Sequence, residues 1–214
     1  MANVNVFKPF LKKIENNIMK SDIILAGVGG QGILSIAASI GLSAIQSGLN
    51  LKQSEVHGMS QRGGAVQSHL RLSDKEIASD LIPNNTADLI LSVEPMECLR
   101  YLPFLAQNGW VVSNSVPFIN ITNYPEVSTI IAEIEKLPNF VLLNADEIAE
   151  QAGSSRASNM VMLGASSPFI NIPVEKFELG IQELFSKKGD SVIQINLKAF
   201  EAGRSVALQK INKK

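Results

Sequence analysis

A run of glycines between two apolar segments is the first feature of the sequence that could do chemistry. Residues 27–32 read Gly-Val-Gly-Gly-Gln-Gly and fit the pattern G-x-G-x-x-G between a predicted strand and a predicted helix. Glycines permit a sharp turn, and the first amides of the following helix attract anions. The segment therefore indicates either an anion site or only a tight strand-to-helix turn, and Gln31 could contact a ligand or a facing loop. The candidate residues of this turn are Gly27, Gly29, Gly30, Gln31 and Gly32.

A second glycine-bearing segment, residues 54–64, concentrates polar chemistry in eleven residues. Arg62 suits a bidentate contact with a carboxylate or phosphate, and His57 can change charge near neutral pH. Glu55 could either orient His57 or cap Arg62, and the sequence leaves both open. In a parallel sheet this segment would end on the same edge as the first turn and would face it across a ligand crevice. The candidate residues here are Glu55, His57, Gly58, Gln61, Arg62, Gly63 and Gly64.

The elements that must position these two loops alternate between strand and helix. The sequence predicts strands at 22–27, 50–56, 65–72, 88–93, 109–114 and 140–143, several of them from short apolar runs. Helical periodicity covers 33–47, 95–107, 126–136, 144–152, 158–166, 173–187 and 194–210. This order predicts an α/β fold, a Rossmann-like doubly wound and mostly parallel sheet with additional C-terminal helices.

Two segments of the chain allow further structural predictions. Polar and apolar residues alternate over 65–72, which favours a strand at a sheet edge with His69 on the surface or at an interface. Residues 7–19 have amphipathic helical spacing, so residues 1–20 are interpreted as a helical extension of a domain at 21–214.

Three further residues are weaker candidates for chemistry. Glu94 and Asn114 each end a predicted strand at the presumed ligand edge, although Glu94-Pro95 also makes a good helix entry. Cys98 is the only cysteine, and a lone cysteine is more often a small core residue than a nucleophile.

Composition limits the function classes. The chain has 214 residues, 19 basic and 20 acidic side chains, and a formal charge of −1, which argues against nucleic-acid binding. A single thiol cannot hold an iron–sulfur cluster or a cysteine-based zinc site, so no metal site is predicted in this chain. Apolar runs are too short to cross a bilayer, and the expected compartment is the cytoplasm.

The motifs together resemble a known family. The sequence is similar to the gamma-type subunits of the 2-oxoacid:ferredoxin oxidoreductases, and most similar to the members that act on indolepyruvate. The likeness spans about residues 21–208. It rests on four segments of the sequence, residues 27–33, 55–64 with Arg71 after them, 159–165 and 196–203.

The resemblance implies the small subunit of a complex that oxidatively decarboxylates an aryl 2-oxoacid with coenzyme A, giving acyl-CoA, CO₂ and reduced ferredoxin. Thiamine diphosphate, magnesium and the iron–sulfur clusters are then expected in a larger partner subunit, and no catalytic residue is assigned to this chain. The two loops would contact coenzyme A or that partner, and the isolated chain could form a dimer. Asn84-Asn85 lacks the upstream Gly-Asp-Gly of a thiamine-diphosphate motif.

One alternative to this function remains open at this point. A free-standing protein that binds a nicotinamide dinucleotide would also use a G-x-G-x-x-G turn, with an acid ending the second strand about 20 residues on. Glu55 lies 23 residues after Gly32 and could be that acid.

Overall fold

A computed structural model describes residues 19–58, 63–119 and 121–212 of the chain. The predicted helix at 7–19 therefore lies, except for its last residue, outside the described residues. Within these described residues, six strands form one sheet, and seven α-helices pack on it. The strands are β1 (Lys20–Val28), β2 (Asn50–His57), β3 (Ala65–Ser73), β4 (Ala87–Ser92), β5 (Leu105–Asn114) and β6 (Phe140–Leu143).

The helices follow the predicted order with small shifts at their ends. They are α1 (Ile33–Gln46), α2 (Pro95–Arg100), α3 (Val127–Glu135), α4 (Ala145–Ala152), α5 (Ser158–Ser166), α6 (Val174–Phe185) and α7 (Asp190–Ile211). The prediction of a helix up to residue 107 was wrong. The helix stops at Arg100, a 3-10 turn containing Pro103 follows, and β5 already begins at Leu105.

The strand order is β2-β3-β1-β4-β5-β6. β1, β4, β5 and β6 are parallel neighbours, whereas β3 is antiparallel to both β1 and β2. Five strands therefore share one direction, which confirms the α/β and mostly parallel prediction. The expectation that β3 is an edge strand was wrong, because β2 covers its outer side.

The core lies on both faces of the sheet, as in a doubly wound fold. Along β1, Ile23 and Leu25 face one layer of helices, while Ile24 and Ala26 face the other. Alternate side chains of a strand point to opposite faces, so a continuous apolar run such as residues 23–26 of β1 must be covered on both faces. The first layer is formed by α1, α4, α5, α6 and α7, and the second by α2 and α3.

Two helices after neighbouring parallel strands lie on opposite faces. The chain leaves β1 for α1 in the first layer, but it leaves β4 for α2 in the second layer. The carboxyl ends of β1 and β4 therefore flank a topological switch point, where open α/β sheets form a crevice.

Candidate functional site

The first glycine turn closes the carboxyl end of β1 against the end of β4. A Cβ atom added to Gly27 would lie 2.3 Å from Cγ2 of Val93, so only glycine permits this approach without a shift. Gln31 fixes the turn, because its Oε1 accepts from the Val28 amide at 2.8 Å and its Nε2 donates to the Val93 carbonyl at 3.3 Å. The Gln31 side chain thus binds its own turn and the end of β4.

The turn leads directly into the amino end of α1. Gly32 is the residue before the helix and adopts a left-handed φ of 81°, which favours glycine. It has no side chain to cap the helix, and the first turn of α1 contains no acidic residue. The first amides of α1 can therefore bind an anion, which the helix dipole also attracts.

The second glycine segment meets the first, as predicted. The Gly29 amide donates to the Gly64 carbonyl at 2.9 Å, and the Gly63 amide donates to the Gly29 carbonyl at 3.4 Å. The reason differs from the one expected. β2 is not beside β1, and the segment instead joins the β2–β3 hairpin, whose antiparallel strand β3 starts opposite the end of β1, at the pair Val28 and Ala65.

The polar residues of the second segment are only partly described. Nε2 of His57 contacts Oε1 of Glu55 in an ion-pair geometry, with the His57 side chain 53% exposed and the Glu55 side chain 13% exposed. Of the two roles considered for Glu55, this contact supports the orientation of His57. Gly58 donates its amide to the Ala65 carbonyl at 2.8 Å. Gln61 and Arg62 lie outside the described residues.

A cavity of about 270 Å³ opens at the switch-point crevice beside the first turn. Asn114 organises its wall, since its Oδ1 accepts from the amides of Ala145 at 3.0 Å and Val116 at 3.3 Å. Its Nδ2 donates to Asp146 at 3.4 Å. The cavity is lined by Gln31, Val93, Asn114, Val116, Pro117, Phe118, Asp146, Ser158, Asn159 and Met162.

Sequence reasoning placed some of these cavity residues and missed others. Asn114 was predicted from its place at the end of β5. Asp146 was missed, although the same rule applies to it, because it follows β6 at the carboxyl edge. Asn159 comes from α5, whose amino end reaches the glycine turn, and its Nδ2 donates to the Gly32 carbonyl at 3.5 Å.

A second cavity, of about 370 Å³, lies on the other side of Asn159. It contains the side chains of Arg156 and Lys188 and no acidic residue. Lys188 also lies over the ring of Phe185, 5.2 Å from its centroid. The two cavities share Asn159, so polar groups continue from the glycine turn to this basic recess.

Glu94 has the helix-entry role rather than a place in the cavity wall. Its side chain is buried, and its Oε2 accepts from the Glu97 amide at 2.8 Å at the start of α2. Cys98, in the same helix, is buried as expected for a core residue, and burial raises the pKa of its thiol to about 12. Such a thiol is a poor nucleophile at neutral pH.

His69 was expected at the surface, but it is buried. Side chains of a strand point to the faces of the sheet, and on its face His69 packs edge-on against Phe104, with ring centroids 5.2 Å apart. Its Nδ1 accepts from the Ile82 amide at 3.0 Å. Burial is the main cause that lowers the pKa of His69 from its ordinary value.

Two kinds of feature are absent from residues 19–58, 63–119 and 121–212, a cluster of metal ligands and a helix that could cross a membrane. In those ranges, histidine, cysteine and acidic side chains do not gather in groups of three that could hold a metal ion. None of the helices in the described part of the chain has the length and apolar character needed to cross a bilayer.

Comparison with known proteins decides the family. Residues 22–206 match the family model described as pyruvate ferredoxin/flavodoxin oxidoreductase. The chain belongs to this family. It is 38% identical over 199 residues to the indolepyruvate oxidoreductase subunit IorB of Archaeoglobus fulgidus, covering 89% of this chain and 96% of that protein.

Solved structures of the family have the same fold. The gamma subunit of a keto/oxoacid ferredoxin oxidoreductase from Geobacter sulfurreducens superposes with a TM-score of 0.64 at 24% identity, over 88% of this chain and 99% of that one. The 2-oxoglutarate:ferredoxin oxidoreductase from Magnetococcus marinus gives a TM-score of 0.70 at 22% identity. That match covers 89% of this chain but 31% of the longer Magnetococcus chain.

The dinucleotide alternative finds no support in these relatives, and the sheet argues against it. In a dinucleotide-binding fold, the acid that binds ribose ends the strand next to β1. Here β3 separates β1 from β2, so Glu55 lies two strands away and pairs with His57.

Two of the segments that carry the family resemblance serve the packing of the domain. Gly164 of α5 and Gly203 of α7 allow these helices to touch through their backbones. Cβ atoms added there would lie 1.8 Å from the Phe200 carbonyl oxygen and 2.0 Å from the Val161 carbonyl oxygen. This close crossing holds the amino end of α5, with Asn159, against the glycine turn.

Proposed function

We propose that this chain is the small subunit of an indolepyruvate ferredoxin oxidoreductase. The complex would convert an aryl 2-oxoacid and coenzyme A into acyl-CoA and CO₂, and the two electrons released would reduce ferredoxin. The observation that carries this proposal is the 38% identity to the Archaeoglobus subunit over nearly the whole of both chains. A match over 89% of this chain and 96% of that protein favours a shared place in the complex.

The redox and decarboxylation chemistry belongs to a larger partner in this proposal. The residues of this chain do not fit an iron–sulfur cluster, because Cys98 is its only cysteine and that thiol is buried in the core. The Magnetococcus chain supports a partner, because this fold makes up 31% of that polypeptide. A chain that holds only this part needs the remaining functions from another subunit, where thiamine diphosphate would supply the chemistry that removes CO₂.

The joined glycine loops are the proposed contact of this chain with coenzyme A or with the partner. The free amides at the start of α1 and the guanidinium of Arg62 offer favourable contacts to phosphate or carboxylate groups. The Gln31 side chain and the two hydrogen bonds between Gly29 and the second segment hold these backbones in place before binding. Preorganised donors lower the cost of binding an anion.

The test uses a complex formed by co-expression of this chain with the proposed larger subunit. The wild-type complex should reduce ferredoxin when indolepyruvate and coenzyme A are both present, and more slowly with an aliphatic 2-oxoacid. Absence of indolepyruvate-dependent reduction by an assembled complex would overturn the proposal.

Arg62→Ala distinguishes the two contacts proposed for the loops. Loss of one charged contact should raise the KM for coenzyme A about tenfold at unchanged kcat if the loop binds the cofactor. It should instead weaken assembly with unchanged KM if the loop binds the partner. Lys136→Ala is the matched control, because Lys136 is an exposed cation just after the end of α3, 67% accessible. If Arg62→Ala and Lys136→Ala have the same KM for coenzyme A and assemble equally well, Arg62 does not belong to the site.

A further inference from the structure

The loop between β5 and α3 exposes apolar side chains at the carboxyl edge of the sheet. This apolar loop, residues 115–124, contains no charged residue. Phe118, Ile119 and Ile121 are 42%, 66% and 41% exposed. Exposed apolar residues in an uncharged surface segment are typical of the centre of a protein–protein interface.

A buried carboxylate holds this loop in place. Glu94 is fully buried, and its Oε1 accepts from the Phe118 amide at 3.4 Å and from the hydroxyl of Tyr124. Its Oε2 caps α2 through the Glu97 amide. One carboxylate thus binds the middle and the end of the apolar loop to a helix. A buried carboxylate without donors would be costly, so the three donors and the loop conformation depend on each other.

The apolar loop continues the surface of the glycine turn. Phe118 and Gln31 line the same cavity of about 270 Å³ at the switch-point crevice. Ile119 and Ile121 extend beyond that cavity to solvent. The exposed apolar side chains and the two glycine segments therefore share one edge of the molecule. Ile45 is an equally exposed isoleucine, 63% accessible, but it lies at the far end of α1, at the opposite edge of the sheet.

We propose that the apolar loop is a docking element for the larger subunit, with Glu94 as the residue that positions it. This inference rests on the proposed function, which supplies the partner. In the Magnetococcus protein the same fold is one part of a longer polypeptide, so it is covalently joined there to further structure. In this chain, such a neighbour would have to be held by non-covalent contacts. The apolar loop can supply them with little loss of conformational entropy, because Glu94 already holds the loop in place.

The experiment measures the affinity of this chain for the larger subunit by biolayer interferometry. Ile119→Ser should weaken the complex about tenfold or more, because it replaces an isoleucine side chain that the larger subunit would bury with a polar one. Ile45→Ser is the matched control and should leave the affinity unchanged. Both variants should unfold at the wild-type temperature, because both side chains are exposed in the isolated chain.

A second variant tests the role of Glu94 without altering an exposed apolar side chain. Tyr124→Phe removes one hydrogen bond to the carboxylate and should weaken the complex several-fold, with hydrogen exchange in the Phe118 segment faster than in wild type. Unchanged affinity and unchanged exchange would overturn the positioning role of Glu94.

The outcomes separate this inference from the proposed function. If the wild-type chain binds the larger subunit, and Ile119→Ser and Ile45→Ser bind it with equal affinity, the inference alone is overturned. Failure of the wild-type chain to bind the larger subunit would overturn the proposed function and the inference together. If Ile119→Ser instead turns a dimer of the isolated chain into a monomer and leaves the complex intact, the loop binds a second copy, and the inference is wrong.

Discussion

Replacement of Gly203 by alanine should destabilise the domain, because α5 and α7 touch through their backbones. The new Cβ would lie 2.0 Å from the Val161 carbonyl oxygen. A carbon–oxygen contact normally needs about 3.4 Å, so the helices must separate by roughly 1.4 Å. Both partners are backbone atoms and cannot rotate away. Overpacking of this kind costs up to about 3 kcal/mol, and the better helix propensity of alanine returns about 1 kcal/mol.

The net loss should therefore be about 2 kcal/mol in the free energy of unfolding. For a chain of this size that corresponds to a fall of roughly 4–8 °C in the melting temperature. Urea denaturation followed by circular dichroism measures the free energy, and a thermal scan gives the temperature.

Gly41→Ala is the matched control for this measurement. Gly41 also lies inside a helix, α1, but its added Cβ would meet only the flexible end of the Leu51 side chain, at 3.2 Å. We expect this variant to stay within about 1 kcal/mol of wild type, because the gain in helix propensity offsets the small contact cost. If Gly203→Ala were as stable as Gly41→Ala, the close helix crossing would not be required, and the reasoning would be refuted.

Two further predictions concern buried ionisable groups. Burial lowers the pKa of His69 below its ordinary 6.5, so the unfolded chain binds a proton at His69 more tightly than the folded chain does. The free energy of unfolding should therefore fall as the pH drops below about 6.5. His69→Gln should reduce this fall in urea titrations at several pH values, and an identical pH dependence in both proteins would contradict the role of His69. Arg71→Met should cost about 2 kcal/mol, because the guanidinium binds Asp22, a carboxylate only 1% exposed, through Nε at 2.8 Å and Nη2 at 3.1 Å. Asp22 keeps its second cation, since Nζ of Lys20 lies 2.7 Å from its Oδ2. Lys136→Met, which breaks an exposed pair, should cost less than about 0.5 kcal/mol, and equal losses in the two variants would argue against a structural role for the buried pair.

Local features of the chain were readable from sequence because they depend on neighbours along it. The apolar run of β1, the glycine turn after it and the periodic helix α1 were each predicted within a few residues. Helix α5 was predicted at 158–166 and begins and ends there. The turn before α5 is held by a local hydrogen bond, in which Oγ of Ser154 accepts from the Arg156 amide at 3.3 Å. In these cases hydrophobic period and local hydrogen bonds suffice to specify the element.

The arrangement of the strands was decided only in three dimensions. Alternation in β3 is compatible with an edge strand, and nothing local to it shows that β2 will cover its outer side. The burial of His69 was missed for a related reason, because Phe104 and the Ile82 amide, which contact its side chain, come from other segments of the chain. The glycine segments were correctly expected to meet, but through an antiparallel hairpin whose return strand lies beside β1. Strand order depends on pairing between distant residues, which the period of a segment does not encode.

The candidate site shows the same division. The sequence determined which residues can bind an anion or a partner, because residue type and turn chemistry are local properties. Only the tertiary structure placed Asp146 and Asn159 at the cavity with Gln31, and Glu94 beneath the apolar loop. These residues come from separate elements that meet at one edge because parallel strands place their carboxyl ends together. That convergence is a property of the packed sheet, since it requires contacts between parts of the chain that are far apart in sequence.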